Sequence, residues 1–256
     1  MTPEPPLPDV SAPPEPPPPE SYPFWSYLDL SAFVLIAALG VALESVLAAL
    51  FLAVRHVKQI YVLLPAQCLL YGYLLGALAV IFHRYYQRPL WQSLRWESVR
   101  GRTAMVAASG IGMACVVVFA SLLIRTPDVE SPMKALLSDP TSAILLAVLG
   151  VTIGPICEEI VFRGFLQPLL VRSLGAVAGV LLAAVPFGLL HLQEYGYSWR
   201  HALLITLAGA SFGWMRQRTG STKAAALMHA SYNGVFFLVL VLQQVAVHGR
   251  WAGYAK

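Results

Sequence analysis

TSAILLAVLGVTIGPICEEIVFRGFLQPLLV, residues 141–171, is apolar almost throughout, yet Glu158, Glu159 and Arg163 stand near its middle. A helix needs about 20 predominantly apolar residues to cross a bilayer, so this run reads as a membrane segment, long enough to contain a break. At the centre of such a helix each ionised side chain costs roughly 2.5–3.5 kcal/mol on insertion scales. Glu159 and Arg163 are four apart, share a helix face and partly neutralise each other. Glu158 projects about 100° away from that face and needs another partner. Acids inside a membrane segment are functional by default, which makes Glu158 the most informative residue of the chain.

The rest of the sequence places this run in an integral membrane protein. Of 256 residues, 57% are hydrophobic and 12% charged, against about 25% charged in an ordinary soluble domain; the mean hydropathy is +0.66. Seven apolar runs follow one another near 28–54, 60–82, 104–124, 142–171, 174–192, 202–215 and 224–247. The fold class expected is therefore all-α, a polytopic membrane helix bundle of about seven to eight transmembrane helices. Residues 1–22 carry PEPPLPDVSAPPEPPPPE, with four acids and no base. Such a stretch cannot bury apolar surface and is expected to be a disordered, partly polyproline II tail, followed by one helical membrane domain over 23–256. It lacks the basic start of a signal peptide.

Charge sets the expected orientation. The stretch 84–102 holds five arginines together with Trp91 and Trp96, which suits a cytoplasmic interface. Alternation from that anchor puts the amino terminus in the cytoplasm and places Arg172, Arg216, Arg218 and Lys223 on the same side, with Arg125, Lys134 and Arg200 on the other. The expected location is the cell (inner) membrane. The net charge of +4 reflects these loops, so no nucleic-acid partner is expected. Cys68, Cys115 and Cys157 all lie in apolar runs and read as small buried hydrophobes.

Three polar groups at helical spacing occupy the back half: Glu158, Glu159 and Arg163 in EEIVFRG; Phe187 and His191 in FGLLH; His229 and Asn233 in HASYN. A carboxylate in low dielectric can serve as general base toward water, with an imidazole sharing or relaying the proton. His229 and Asn233 are suited to donate to the oxyanion that develops on an amide carbonyl. Taken singly, either histidine or Asn233 reads equally well as a hydrogen bond between helices; the combination favours chemistry. Glu44 has no partner in its own run. Ser211 and Ser231 lack a Gly-x-Ser-x-Gly surround, His56, His83 and His201 stand at run ends, and no HExxH occurs.

EEIVFRG, then FGLLH, then HASYN, over roughly 142–239, resembles the Glu-Glu-x-x-x-Arg, Phe-x-x-x-His and His-x-x-x-Asn series of the CAAX protease and bacteriocin-processing (Abi) family of intramembrane glutamic endopeptidases, whose best-known type is the CAAX prenyl endopeptidase. The resemblance implies that Glu158 activates water with His191, that Glu159 and Arg163 support the first motif, and that His229 and Asn233 stabilise the oxyanion. It implies a membrane-protein or lipidated-peptide substrate and a metalloprotease-like reaction without a dedicated cofactor. Zinc is the alternative, through the set Glu158, His191 and His229. The metal-free reading is preferred because ligand histidines want an oriented second contact, and by sequence only Asn233 lies one turn from His229 and Phe187 one turn from His191. Two other classes use the same residues: a non-catalytic immunity or scaffold protein, and a proton-coupled transporter. Simple counting along the runs also sets His191 and His229 at different depths, unless Pro186 kinks its helix or the segment after Gly164 is re-entrant.

Overall fold

The computed structural model describes residues 21–54, 57–99 and 101–248; the tail residues 1–20, His56 and Arg100 lie outside them. The elements are α1 (Tyr27–Val54), α2 (Ile60–Tyr86), a short α3 (Leu90–Ser93), α4 (Thr103–Leu123), a short α5 (Pro132–Leu137), α6 (Pro140–Val151), α7 (Ile153–Glu159), a π-helical segment (Ile160–Leu166), α8 (Gln167–Leu174), α9 (Ala176–Leu190), α10 (Trp199–Thr219) and α11 (Thr222–His248). Among the described residues there is no strand. The protein is an all-α membrane helix bundle. Five stretches are long and apolar enough to cross a membrane, Tyr27–Ala53, Ile60–Tyr86, Thr103–Leu123, Pro140–Leu174 and Thr222–Gln243, with Ala176–Leu190 shorter but equally apolar. Helix α10 is longer than its apolar run because Arg200 at its start and Arg216 and Arg218 at its end remain helical.

Apolar side chains cover the outside as well as the core. Leu28 is 80% exposed, Leu69 75% and Leu122 70%. Contiguous apolar surface on that scale is unsuited to water and marks the faces turned to lipid. Inside, the helices approach closely where a side chain is missing. A Cβ on Gly110 of α4 would lie 2.2 Å from the Met228 carbonyl of α11, and one on Gly188 of α9 would lie 2.0 Å from Thr206 Oγ1 of α10. Small residues thus bring α4 onto α11 and α9 onto α10, the usual route to van der Waals contact between membrane helices.

The long fourth run is interrupted without turning back. Its first break is at Thr152, whose φ of −119° and ψ of −88° separate α6 from α7. The second is the π-helical turn over Ile160–Leu166, which hands the chain on to α8. The chain therefore continues helically past Gly164. Pro186 lies within α9. At Gly175, φ of 81° allows α8 to reverse directly into α9, a conformation that costs glycine little.

The chain ends of the helices sort into two groups. Tyr22 and Pro23, Arg95, Arg172, Arg216 and Thr222 contact one another at one end. Lys58 with Asp139, and Arg200 with the Arg125 carbonyl, meet at the other. This grouping follows the alternation of the runs, and Arg95, Arg172 and Arg216 share one end. Tyr22, the last residue assigned to the tail by sequence, packs its ring edge-on to Trp25. Trp25 in turn donates through Nε1 to the Phe165 carbonyl at 3.1 Å, so the entry to α1 is fastened to the π-helical turn.

Candidate active site

Helix α7 ends on Cys157, Glu158 and Glu159, and the two carboxylates part ways. Glu159 is fully buried; its Oε1 accepts from Arg163 Nη1 at 2.8 Å and pairs with His229 Nδ1 at 3.0 Å. The i,i+4 ion pair expected from the sequence is present, and it extends to α11. Arg163, also fully buried, donates through Nη2 to the Gly209 carbonyl at 2.6 Å. Its guanidinium sits among the rings of Phe187 at 4.4 Å, Phe212 at 5.6 Å and Phe162 at 5.7 Å, where the ring faces favour a cation. Gly209 is required for this: a Cβ there would fall 2.9 Å from Arg163 Nη2 and 2.8 Å from Phe187 Cδ1.

The same buried face continues one turn further. Gln167 donates through Nε2 to the Gly213 carbonyl at 2.9 Å, so Glu159, Arg163 and Gln167 run as a polar ladder along α10. Among the described residues Glu159 Oε2, Arg163 Nε and Gln167 Oε1 are buried without a hydrogen-bond partner. A ladder of this kind, placed on a π-helical turn, is costly in an apolar core, and π-turns gather at functional sites.

Glu158 is half-buried and faces α2, where Tyr71 OH donates to its Oε1 at 2.7 Å. This is the partner that the sequence showed to be missing. Tyr71 escaped the sequence reading because nothing distinguishes it from Tyr61 or Tyr73 in the same run. Glu194 escaped it as well, since it stands in the turn after α9 and outside any apolar run. Removal from water raises its carboxyl above the ordinary range, His191 nearby pulls it back, and Glu158 pushes it up again. Glu158 and His191 therefore each lie within electrostatic reach of Glu194.

Each histidine is oriented. His191 Nδ1 lies 2.7 Å from the Phe187 carbonyl. A carbonyl only accepts, so Nδ1 carries a proton, and in the neutral ring Nε2 holds the lone pair. His229 is stacked on Phe212 at 4.5 Å and directs Nδ1 to Glu159. Donation from Nε2 as well requires its imidazolium form. The Phe187 ring touches both imidazoles, His191 at 4.9 Å and His229 at 5.7 Å between centroids. The difference in depth counted along the runs is spanned by that ring, because α9 has only 15 residues, about 22 Å at 1.5 Å each. Asn233, one turn beyond His229, donates through Nδ2 to the Gly150 carbonyl of α6 at 2.7 Å, which leaves its second N–H and its oxygen free of that bond.

These contacts correct one step of the sequence argument. The histidines were expected to lack oriented second contacts, and both have them: a backbone carbonyl for His191 and the Glu159 carboxylate for His229. A thin second shell is therefore no argument against a metal. Among the described residues no three His, Cys, Asp or Glu side chains form a group that could hold a metal ion. Ser211 and Ser231 spend their hydroxyls on helix carbonyls, those of Ala208 and Leu227.

A buried acid–arginine–histidine ladder beside a second, separately held acid, inside a membrane helix bundle, defines a candidate hydrolytic membrane protein. Residues 140–235 match the sequence model of the family described as type II CAAX prenyl endopeptidase Rce1-like. That is a protease family, and the matched stretch contains Glu158, Glu159, Arg163, His191, His229 and Asn233 while leaving out Tyr71. No curated protein and no solved structure was found to be similar to the chain.

Proposed function

We infer that the protein is an intramembrane endopeptidase that hydrolyses a peptide bond of a membrane-associated or lipidated substrate, with its amino terminus on the cytoplasmic side. The observation that carries this reading is the division of labour between adjacent carboxylates. Glu159 is committed to Arg163 and His229, whereas Glu158 is held by a single hydroxyl and keeps lone pairs for water. Glu158 removes a proton from water as the oxygen bonds to the scissile carbonyl carbon, and His191 Nε2 receives that proton and delivers it to the departing amine nitrogen as the C–N bond breaks and the carbonyl reforms as the acid. His229, charged and backed by Glu159, donates from Nε2 to the oxyanion, with the second N–H of Asn233 beside it. Glu159 and Arg163 position His229 and do not touch the substrate.

Tyr71 has a place in this scheme as the residue that aims Glu158. A hydrogen bond to a charged group contributes about 1.5–3 kcal/mol, so Tyr71→Phe is expected to lower turnover by roughly tenfold or more while the amount of protein in the membrane is unchanged. Equal turnover by the two proteins would remove Tyr71 from the scheme.

The reaction class is tested with the purified chain in liposomes, offered a peptide ending in a prenylated Cys-aliphatic-aliphatic-X sequence and the same peptide unprenylated. Cleavage of the lipidated peptide is expected, with metal content far below one equivalent and no loss after treatment with a membrane-permeable chelator. Inactivation reversed only by zinc would restore the zinc set. Proton flux without hydrolysis would point to the transporter, and neither activity to the scaffold.

A further inference from the structure

Three arginines from separate elements surround one cavity at the end of the bundle that carries the entry to α1. Arg95, in the turn after α3, lies with its guanidinium 4.2 Å from the Tyr22 ring centroid. Arg172, in the last turn of α8, donates to the carbonyls of Pro23 and Trp25. Arg216, buried near the end of α10, donates from Nε to Thr222 Oγ1 and from Nη2 to Tyr22 OH, both at 3.0 Å. Together with Tyr22, Gln167 and Pro168 they line a cavity of about 260 Å³. A water occupies about 30 Å³ of liquid, so the space suits a group of several heavy atoms.

The electrostatics of this cavity are unbalanced. Its arginines are met by carbonyls, hydroxyls and a ring, and among the described residues none of the three forms an ion pair with a carboxylate. The acid nearest in effect is Glu97, which is exposed and acts on Arg216 and Tyr22 through its charge alone. A guanidinium presents five N–H donors. Arg216 uses two groups on neutral acceptors, and Arg95 offers its fork to a π-face only, so donors remain for an occupant. Arginine forks match phosphate oxygens in a bidentate manner. Basic pockets between membrane helices near the interface take anionic headgroups. Trp91 and Trp96, 5.7 Å apart and on the same end, are the residue type that sits at headgroup level.

We propose that this cavity binds the phosphate of an anionic phospholipid headgroup, gripped by Arg95, Arg172 and Arg216. The proposal requires the membrane fold and is independent of the peptidase reading. Its test uses the purified, delipidated full chain and reads lipid retention by native mass spectrometry and thermal unfolding in detergent. The probes are phosphatidylglycerol, phosphatidylcholine and inorganic phosphate. Phosphatidylglycerol is expected to be retained at least tenfold better than phosphatidylcholine and to raise the unfolding temperature, with inorganic phosphate far weaker. Arg95→Gln and Arg172→Gln, made singly, are each expected to lose most of that preference while unfolding at the wild-type temperature without lipid. Arg102→Gln, at an exposed base that does not line the cavity, is expected to keep it. Equal retention of the two lipids, or an equal loss in Arg102→Gln, would overturn the proposal, since either means diffuse attraction only. Protection by inorganic phosphate as strong as that by the lipid would overturn the lipid assignment and make the ligand a soluble phosphate.

Discussion

Arg163→Ala is expected to deplete folded protein from the membrane. The substitution leaves Glu159 fully buried with His229 as its remaining partner, and empties the space between the rings of Phe162, Phe187 and Phe212. Removing one member of a buried ion pair costs about 3–5 kcal/mol, a large share of the 5–15 kcal/mol by which domains are ordinarily stable. The double change Glu159→Gln with Arg163→Met removes both charges and is expected to recover folded protein relative to Arg163→Ala, because an apolar replacement of a buried pair is often neutral. It is not expected to recover activity, since His229 loses its carboxylate. Membrane levels by quantitative blotting and unfolding temperature in detergent check both statements. Normal accumulation of Arg163→Ala together with complete loss of turnover would move Arg163 from positioning to chemistry.

How much of this was legible beforehand follows from the range of each interaction. The helix bundle was, because bilayer thickness imposes run length on the sequence directly. The Glu159–Arg163 pair was, because it lies within one helical turn. The partner of Glu158 was not: Tyr71 is 87 positions away, and only the packing of α2 on α7 selects it over the other tyrosines of its run. The orientation of His191 was hidden for another reason. Its contact is a backbone carbonyl at Phe187, so the sequence shows a phenyl ring where the geometry uses a main-chain oxygen. The continuation of Glu159 to His229 depends on α11 closing against α7. Asn233 shows the converse. Both of its readings were available from sequence, and the structure gives it a bond between helices on one N–H, with the oxyanion role resting on the other.

The central claim is that Glu158 performs the hydrolysis, and Glu158→Gln isolates it. The amide keeps the size of the side chain and an oxygen to accept from Tyr71, so folding and membrane level should be unchanged, while the base is gone. General acid–base catalysis contributes about 10²–10⁴-fold, and a loss in that range is expected. Because the natural substrate is defined by the reaction and not by the assay, the direct measurement is made on membranes of cells producing equal amounts of the wild-type and Glu158→Gln proteins, comparing the carboxyl termini of membrane proteins and lipidated peptides by mass spectrometry. A discrete set of cleaved termini present with the wild-type protein and absent with the variant is the predicted result. Identical termini from the two membranes, with both proteins folded and equally abundant, would contradict the account.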